Sequence, residues 1–155
     1  MMTRRIIVTG GAIIRDNQGR ILLQKRSDYG DWGLPGGGME PGETIEETMI
    51  REVKEETGLE VLHSSLDSIY TGERMEYTYP DGTEVVFVMF LFQVEADLQG
   101  TIAEADESLI FTDPYNESLQ LVFKRIEDID IKTINKVQKP VFMDLKEGKV
   151  GVLRG

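Results

Sequence analysis

Three glutamates, Glu52, Glu55 and Glu56, stand three and four residues apart along the chain, the separation that brings side chains onto one face of a helix. Like charges at that spacing repel by about 0.2–0.5 kcal/mol per pair. A bound cation relieves the repulsion, and a ligand set made only of oxygens suits Mg²⁺ or Mn²⁺ better than zinc. The glycines just upstream, Gly36, Gly37 and Gly38, let the backbone come close to a ligand, and Arg51 sets a cation beside the acids. These parts suit hydrolysis of a phosphoanhydride: metal ions screen and polarise a diphosphate and lower the pKa of an attacking water, and a carboxylate takes up the proton. An acidic run by itself is most often a solvated helix face. Its combination with Gly37, Glu43 and Arg51 favours the metal site.

A helix must carry these glutamates. Its start is predicted near Glu43 or Thr44 and its end at Gly58, a natural C-cap, with Met49, Ile50 and Val53 as the apolar flank. Pro35 and the glycines after it exclude a helix or a central strand just before. Upstream, residues 5–14 read as a strand broken by Gly10 and Gly11, followed by a turn at 16–19 and a second strand at 20–25; the pair reads as a hairpin. Residues 26–33 read as a polar loop. Strands are expected at 59–70 and 84–94, the second, with VVFVMFLF, at the centre of the sheet. Residues 79–82 form a turn between them. An irregular acidic stretch at 95–116 precedes a strand at 118–124. The C-terminal helix is expected from about Asn135, with Pro140 as a kink or boundary. The tail reads as an edge strand or a frayed end.

The stretch from Gly37 to Leu59 resembles the signature of the Nudix hydrolases: a Gly, five residues, a Glu, seven residues, Arg-Glu, an aliphatic residue, any residue, Glu-Glu, any residue, Gly and an aliphatic. Gly37, Glu43, Arg51, Glu52, Val53, Glu55, Glu56, Gly58 and Leu59 fill every fixed position. The preceding WGLPGG and the later ESLQLVF followed by an acidic turn are also similar to members of this family. The resemblance implies an α/β (α+β) fold, an α/β/α sandwich with a mixed central sheet flanked by helices. It also implies metal-dependent cleavage of a nucleoside diphosphate linked to a group X, with a small nucleotide as partner. By the same resemblance, Glu52, Glu55 and Glu56 would be metal ligands, with the Gly37 carbonyl a further one, for Mg²⁺ or alternatively Mn²⁺. Glu52 is also the candidate general base, and Glu43 and Arg51 would pair and orient the ligands. An additional base or ligand is assigned by position to Glu117, ahead of Glu104, Asp106 and Glu107. Arg26, Trp32, Tyr77 and Tyr79 are the candidate substrate contacts. For Trp32, loop anchoring is an equal use; for the two tyrosines, a surface pair on a hairpin is the commoner one.

Composition bounds the rest. At 155 residues, 40% apolar and 29% charged, the chain fits one globular domain, residues 1–155. The absence of cysteine excludes thiolate metal sites and fits a cytoplasmic setting. It also argues against prenyl diphosphate isomerisation, which would need a catalytic cysteine. A net charge of −11 opposes stable binding to nucleic acid or an anionic membrane. No apolar run is long enough to span a bilayer, and the N-terminal run is too short for a signal peptide. The apolar tail at 150–153 offers a surface for a homodimer. The rival reading is a catalytically silent nucleotide-sensing module of the same fold; a degenerate signature would mark it, and this signature is intact.

Overall fold

Strand β1 (Arg5–Ile14) alternates its side chains between two opposite faces, and both faces are buried from Gly10 onward. The computed structural model describes residues 4–26, 30–98 and 118–155. Ala12 and Ile14 join a core with Met49 and Val53 of helix α1 (Ile45–Thr57), whereas Ile13 joins a second core with Val141 and Phe142 of helix α2 (Lys139–Glu147). The two helices therefore cover opposite faces of a mixed sheet. That sheet runs β4 (Gly36–Gly38), β1, β7 (Glu84–Ala96), β5 (Val61–Tyr70), β9 (Leu153–Arg154), with β6 (Glu76–Thr78) also on β7. Pairing of β1 with β7 is parallel over its whole length, β4 lies antiparallel to β1 and β5 antiparallel to β7, and β9 runs parallel to β5. A smaller sheet runs β3 (Trp32–Gly33), β2 (Ile21–Arg26), β8 (Ser118–Lys124).

The apolar strand β7 lies in the sheet interior, as its continuous hydrophobicity predicts, and α1 begins and ends where its caps place it. Thr44 accepts from the Glu47 amide at 3.1 Å, Glu47 accepts from the Thr44 amide at 2.8 Å, and Gly58 closes the helix at φ 75°. Three expectations need correction. First, β1 and β2 do not form a hairpin: they belong to different sheets and meet at one bridge, Arg15 with Ile21. Second, Gly10 and Gly11 do not break β1. They let it pass close to α1 and to the chain before β4, since a Cβ on Gly10 would lie 3.1 Å from the Ile45 carbonyl oxygen and one on Gly11 3.1 Å from that of Pro35. Third, α2 starts at Lys139 and not at Asn135, because Pro140 sits in its first turn, where no amide donor is needed.

The far end of α2 is pinned by a buried carboxylate. Asp144 accepts from Tyr70 Oη at 2.9 Å and from both terminal nitrogens of Arg74 at 3.0 Å, with Lys149 Nζ 3.4 Å away. Burial alone would push this acid up, but the Arg74 and Tyr70 hydrogen bonds and the nearby cations outweigh it and hold it at about 2. Val150 and Leu153 of the tail are exposed, and β9 adds to the edge of the sheet beside β5.

Candidate active site

On α1 the core-facing row is Met49, Val53 and Glu56, at steps of four and three residues. A carboxyl thus occupies a position where the pattern calls for an apolar side chain. Glu56 is 1% exposed. Glu52, one turn back, turns toward the same point, and the two carboxyls lie in contact. Burial pushes the Glu56 carboxyl well up, contact with Glu52 pushes it further, and Arg26 and the Gly36 amide pull it back. That amide donates to Glu56 Oε2 at 3.3 Å.

The glycines of β4 admit both acids. A Cβ on Gly37 would fall 2.5 Å from Glu52 Cδ, so a glycine here makes room for the carboxylate. Antiparallel pairing of Gly36 and Gly37 with Gly11 and Gly10 fixes the strand against β1.

Arg51 organises the opposite flank. Its Nε and Nη2 reach the two oxygens of Glu43 at 2.6 and 3.1 Å, its Nη1 reaches Glu52 at 2.8 Å and Glu55 at 3.3 Å, and Nη2 also donates to the Gly38 carbonyl at 3.0 Å. Glu43 accepts in addition from the Glu40 amide and the Thr48 hydroxyl, and these bonds, led by that of Arg51, hold its carboxyl at about 2. Glu52 thus links the other two glutamates: it meets Glu56 on one side and shares Arg51 Nη1 with Glu55 on the other. Among the described residues no three acidic or histidine side chains converge on one point.

Beside the glycines lies a cavity of about 520 Å³, within the range of small-molecule sites, about 300–1,000 Å³. Tyr77, Tyr79 and Phe87 form an aromatic wall, with the two tyrosine rings edge to face at 5.0 Å. Arg26, Gly37 and Gly38 border it on the side of the carboxylates. The turn before α2 closes another side, and two of its polar side chains are engaged with backbone. Gln138 Oε1 accepts from the Leu34 amide at 2.7 Å, and Asn135 Nδ2 donates to the Trp32 carbonyl at 3.3 Å.

A family model for the NUDIX domain matches residues 6–144. The chain belongs to the NUDIX family. Nucleoside triphosphatase NudI of an Enterobacter species is 40% identical over 97 residues, 58% of this chain and 67% of that protein. ADP-ribose pyrophosphatase of Methanocaldococcus jannaschii is 36% identical over 89 residues, 57% of this chain and 50% of that protein. An uncharacterized Nudix hydrolase of Bacillus subtilis, YvcI, is 31% identical over 57% of this chain and 54% of its own length. The match to these relatives thus spans about half to two thirds of their length. The crystal structure of a MutT protein from Methanosarcina mazei has the same fold, with a TM-score of 0.65 over 96% of this chain and 98% of that one at 22% identity.

In this NUDIX fold Arg26, Tyr77 and Tyr79 line the cavity, whereas Trp32 does not. Its ring packs on the core with Lys25 Nζ 6.0 Å from the centroid, and its carbonyl accepts from the Asn135 amide. Glu117, with Glu104, Asp106 and Glu107, lies outside the described residues. The sequence singles out neither Thr9 nor the 135–138 turn, and points to Asp31 only as part of the loop from Arg26 to Trp32; all of these also border the cavity. No local pattern marks them, since β1, the β2–β3 connection and the approach to α2 meet only in the fold.

The donor set fits a hard divalent cation. Every available group is an oxygen, the carboxyls of Glu52 and Glu56 are brought together, and the missing Cβ of Gly37 keeps space beside Glu52.

Proposed function

We propose that this protein is a divalent-metal-dependent pyrophosphohydrolase. Its substrate is a nucleoside diphosphate linked to a group X: a nucleoside triphosphate, a nucleotide sugar, ADP-ribose or a dinucleoside polyphosphate. The observation that carries this reading is the burial of Glu56 against Glu52 behind the glycines that border the cavity. A buried carboxyl pair costs stability, and such costs concentrate where chemistry needs them. The names of the NudI and ADP-ribose pyrophosphatase relatives agree with a pyrophosphate substrate.

Glu52, Glu55 and Glu56 with the Gly37 carbonyl would hold Mg²⁺, or alternatively Mn²⁺. When bound, the ion neutralises diphosphate charge and makes a water acidic enough to attack near neutral pH. Glu52 would take up a proton from an attacking water, and Glu117 would contribute a further base or ligand. Arg51, fixed by both oxygens of Glu43, holds Glu52 and Glu55 in orientation. Tyr77 and Tyr79 face the nucleoside, whose base can stack on a ring, and Arg26 sets positive charge toward the phosphates. Among the described residues no helix is long and apolar enough to cross a membrane; with the cysteine-free composition this supports action in the cytoplasm on a small nucleotide.

The test is phosphate or nucleotide release across these four substrate classes, with Mg²⁺ or Mn²⁺ and with chelator. Metal-dependent release from at least one class is expected. Release that chelator leaves untouched would refute the assignment.

A further inference from the structure

Two residues that line the cavity each carry a polar atom that the protein leaves unanswered. Thr9 Oγ1 on β1 and Asp31 Oδ1 just before β3 are both shielded from solvent, and among the described residues neither finds a hydrogen-bond partner. Polar atoms in that condition are costly, most of all on a carboxylate. Two polar groups at the same wall are already committed: Gln138 to both the amide and the carbonyl of Leu34, and Asn135 to the Trp32 carbonyl and the Gln138 amide. Among the described residues that line the cavity, Asp31 and Thr9 are the ones that carry a shielded polar atom without a partner, beside the Arg26 and Lys136 cations and the tyrosines.

Their chemistry is unequal. A hydroxyl donates or accepts and so sets no preference. An ionised carboxylate only accepts, and repels a carbonyl placed beside it. The last torsion of an aspartate is broad and nearly two-fold, so a modest turn presents the orphaned oxygen to the cavity. The aromatic wall of Tyr77, Tyr79 and Phe87 offers ring faces on which a base can lie.

On the reading of this cavity as the nucleoside site, we infer that Asp31 is a specificity-determining residue that selects a nucleobase bearing an exocyclic amino group over its oxo counterpart. Cytosine, adenine and guanine present an amino donor that the carboxylate can accept. Uracil and hypoxanthine place a carbonyl where cytosine and adenine carry the amino group, and hypoxanthine lacks the amino group of guanine.

The experiment is an NMR-detected titration of the full chain, without divalent metal, using the matched monophosphates CMP and UMP, GMP and IMP, and AMP and IMP. In the parent, the tightest-bound monophosphate is expected to be amino-bearing and to outbind its oxo partner by about tenfold or more, as for a hydrogen bond to a charged group. Asp31→Asn keeps the size, offers a donor as well as an acceptor, and is expected to bring that ratio close to one while melting as the parent does. A parent that does not distinguish the pairs, or that binds neither member of any pair, overturns the inference. So does a variant whose ratio is unchanged, or one that weakens both members of a pair equally, which would mark a sugar or phosphate contact. Because the readout is equilibrium binding, absence of hydrolysis in the parent would count against the pyrophosphohydrolase alone, and an unchanged ratio would count against Asp31 alone.

Discussion

Gly37→Ala perturbs the site through a single carbon atom. A Cβ there would lie 2.5 Å from Glu52 Cδ and 2.6 and 2.8 Å from its two oxygens, well inside the ordinary contact distance of about 3.5–4.0 Å. The carboxylate must retreat by about 1 Å, and a displacement of that size at a reacting or ligating group costs about a hundredfold in rate. The backbone is not the obstacle, since Gly37 does not take a positive φ, and the obstructing atoms are the far end of a flexible side chain. Fold stability should therefore change little. Gly38→Ala is the control on the same strand, because no heavy atom lies within 4 Å of the position its Cβ would take. The assay compares metal-dependent turnover and thermal melting of the two variants with those of the parent. A folded Gly37→Ala protein that retains the parent's turnover would refute the reasoning, as would a Gly38→Ala protein that loses as much.

Arg51→Lys replaces a fork that spans both oxygens of Glu43 and also reaches Glu52 and Glu55; turnover should fall by about 10–100-fold, measured at saturating metal. Asp144→Ala leaves Arg74 and Tyr70 without their buried acceptor and should cost about 3–5 kcal/mol in denaturant unfolding. The pH dependence of that network follows from the lowered Asp144 pKa: its stabilisation is fully present above the ordinary value of 3.8 and is lost as pH falls through about 2. The stability gap between the parent and Asp144→Asn should therefore be flat above that window and shrink within it. Gly36→Ala would set a Cβ 2.6 Å from the Gly10 carbonyl oxygen and 2.7 Å from Gly11 Cα; since backbone cannot step aside, melting should fall by the equivalent of about 1–3 kcal/mol.

What the sequence made legible was local. The capping pattern around Thr44 and Gly58 placed α1 to within a residue or two, and eight apolar residues in a row placed β7 inside the sheet. The pairing of Arg51 with Glu43 also followed from the signature. Non-local partners were not legible. The turn at 16–19 reads as a hairpin connection, yet β1 finds β7, more than 70 residues away in the chain, as a longer and more apolar partner than β2. The meeting of Glu52 with Glu56 was legible, because the two stand four residues apart on one helical row, as Arg51 and Glu55 do on another. Thr9 carried no mark, and Asp31 only that of the loop from Arg26 to Trp32: a threonine in a strand and an aspartate in a loop are ordinary until the fold brings them to one cavity.

Glu56→Gln is the most direct test of the central assignment. The substitution keeps the shape of the side chain and removes the ionisable group that burial penalises, so melting should stay level or rise. Metal-dependent turnover of the best substrate should fall by at least about a hundredfold at saturating Mg²⁺. A Glu56→Gln protein that melts like the parent and hydrolyses that substrate at the parent's rate would contradict the account.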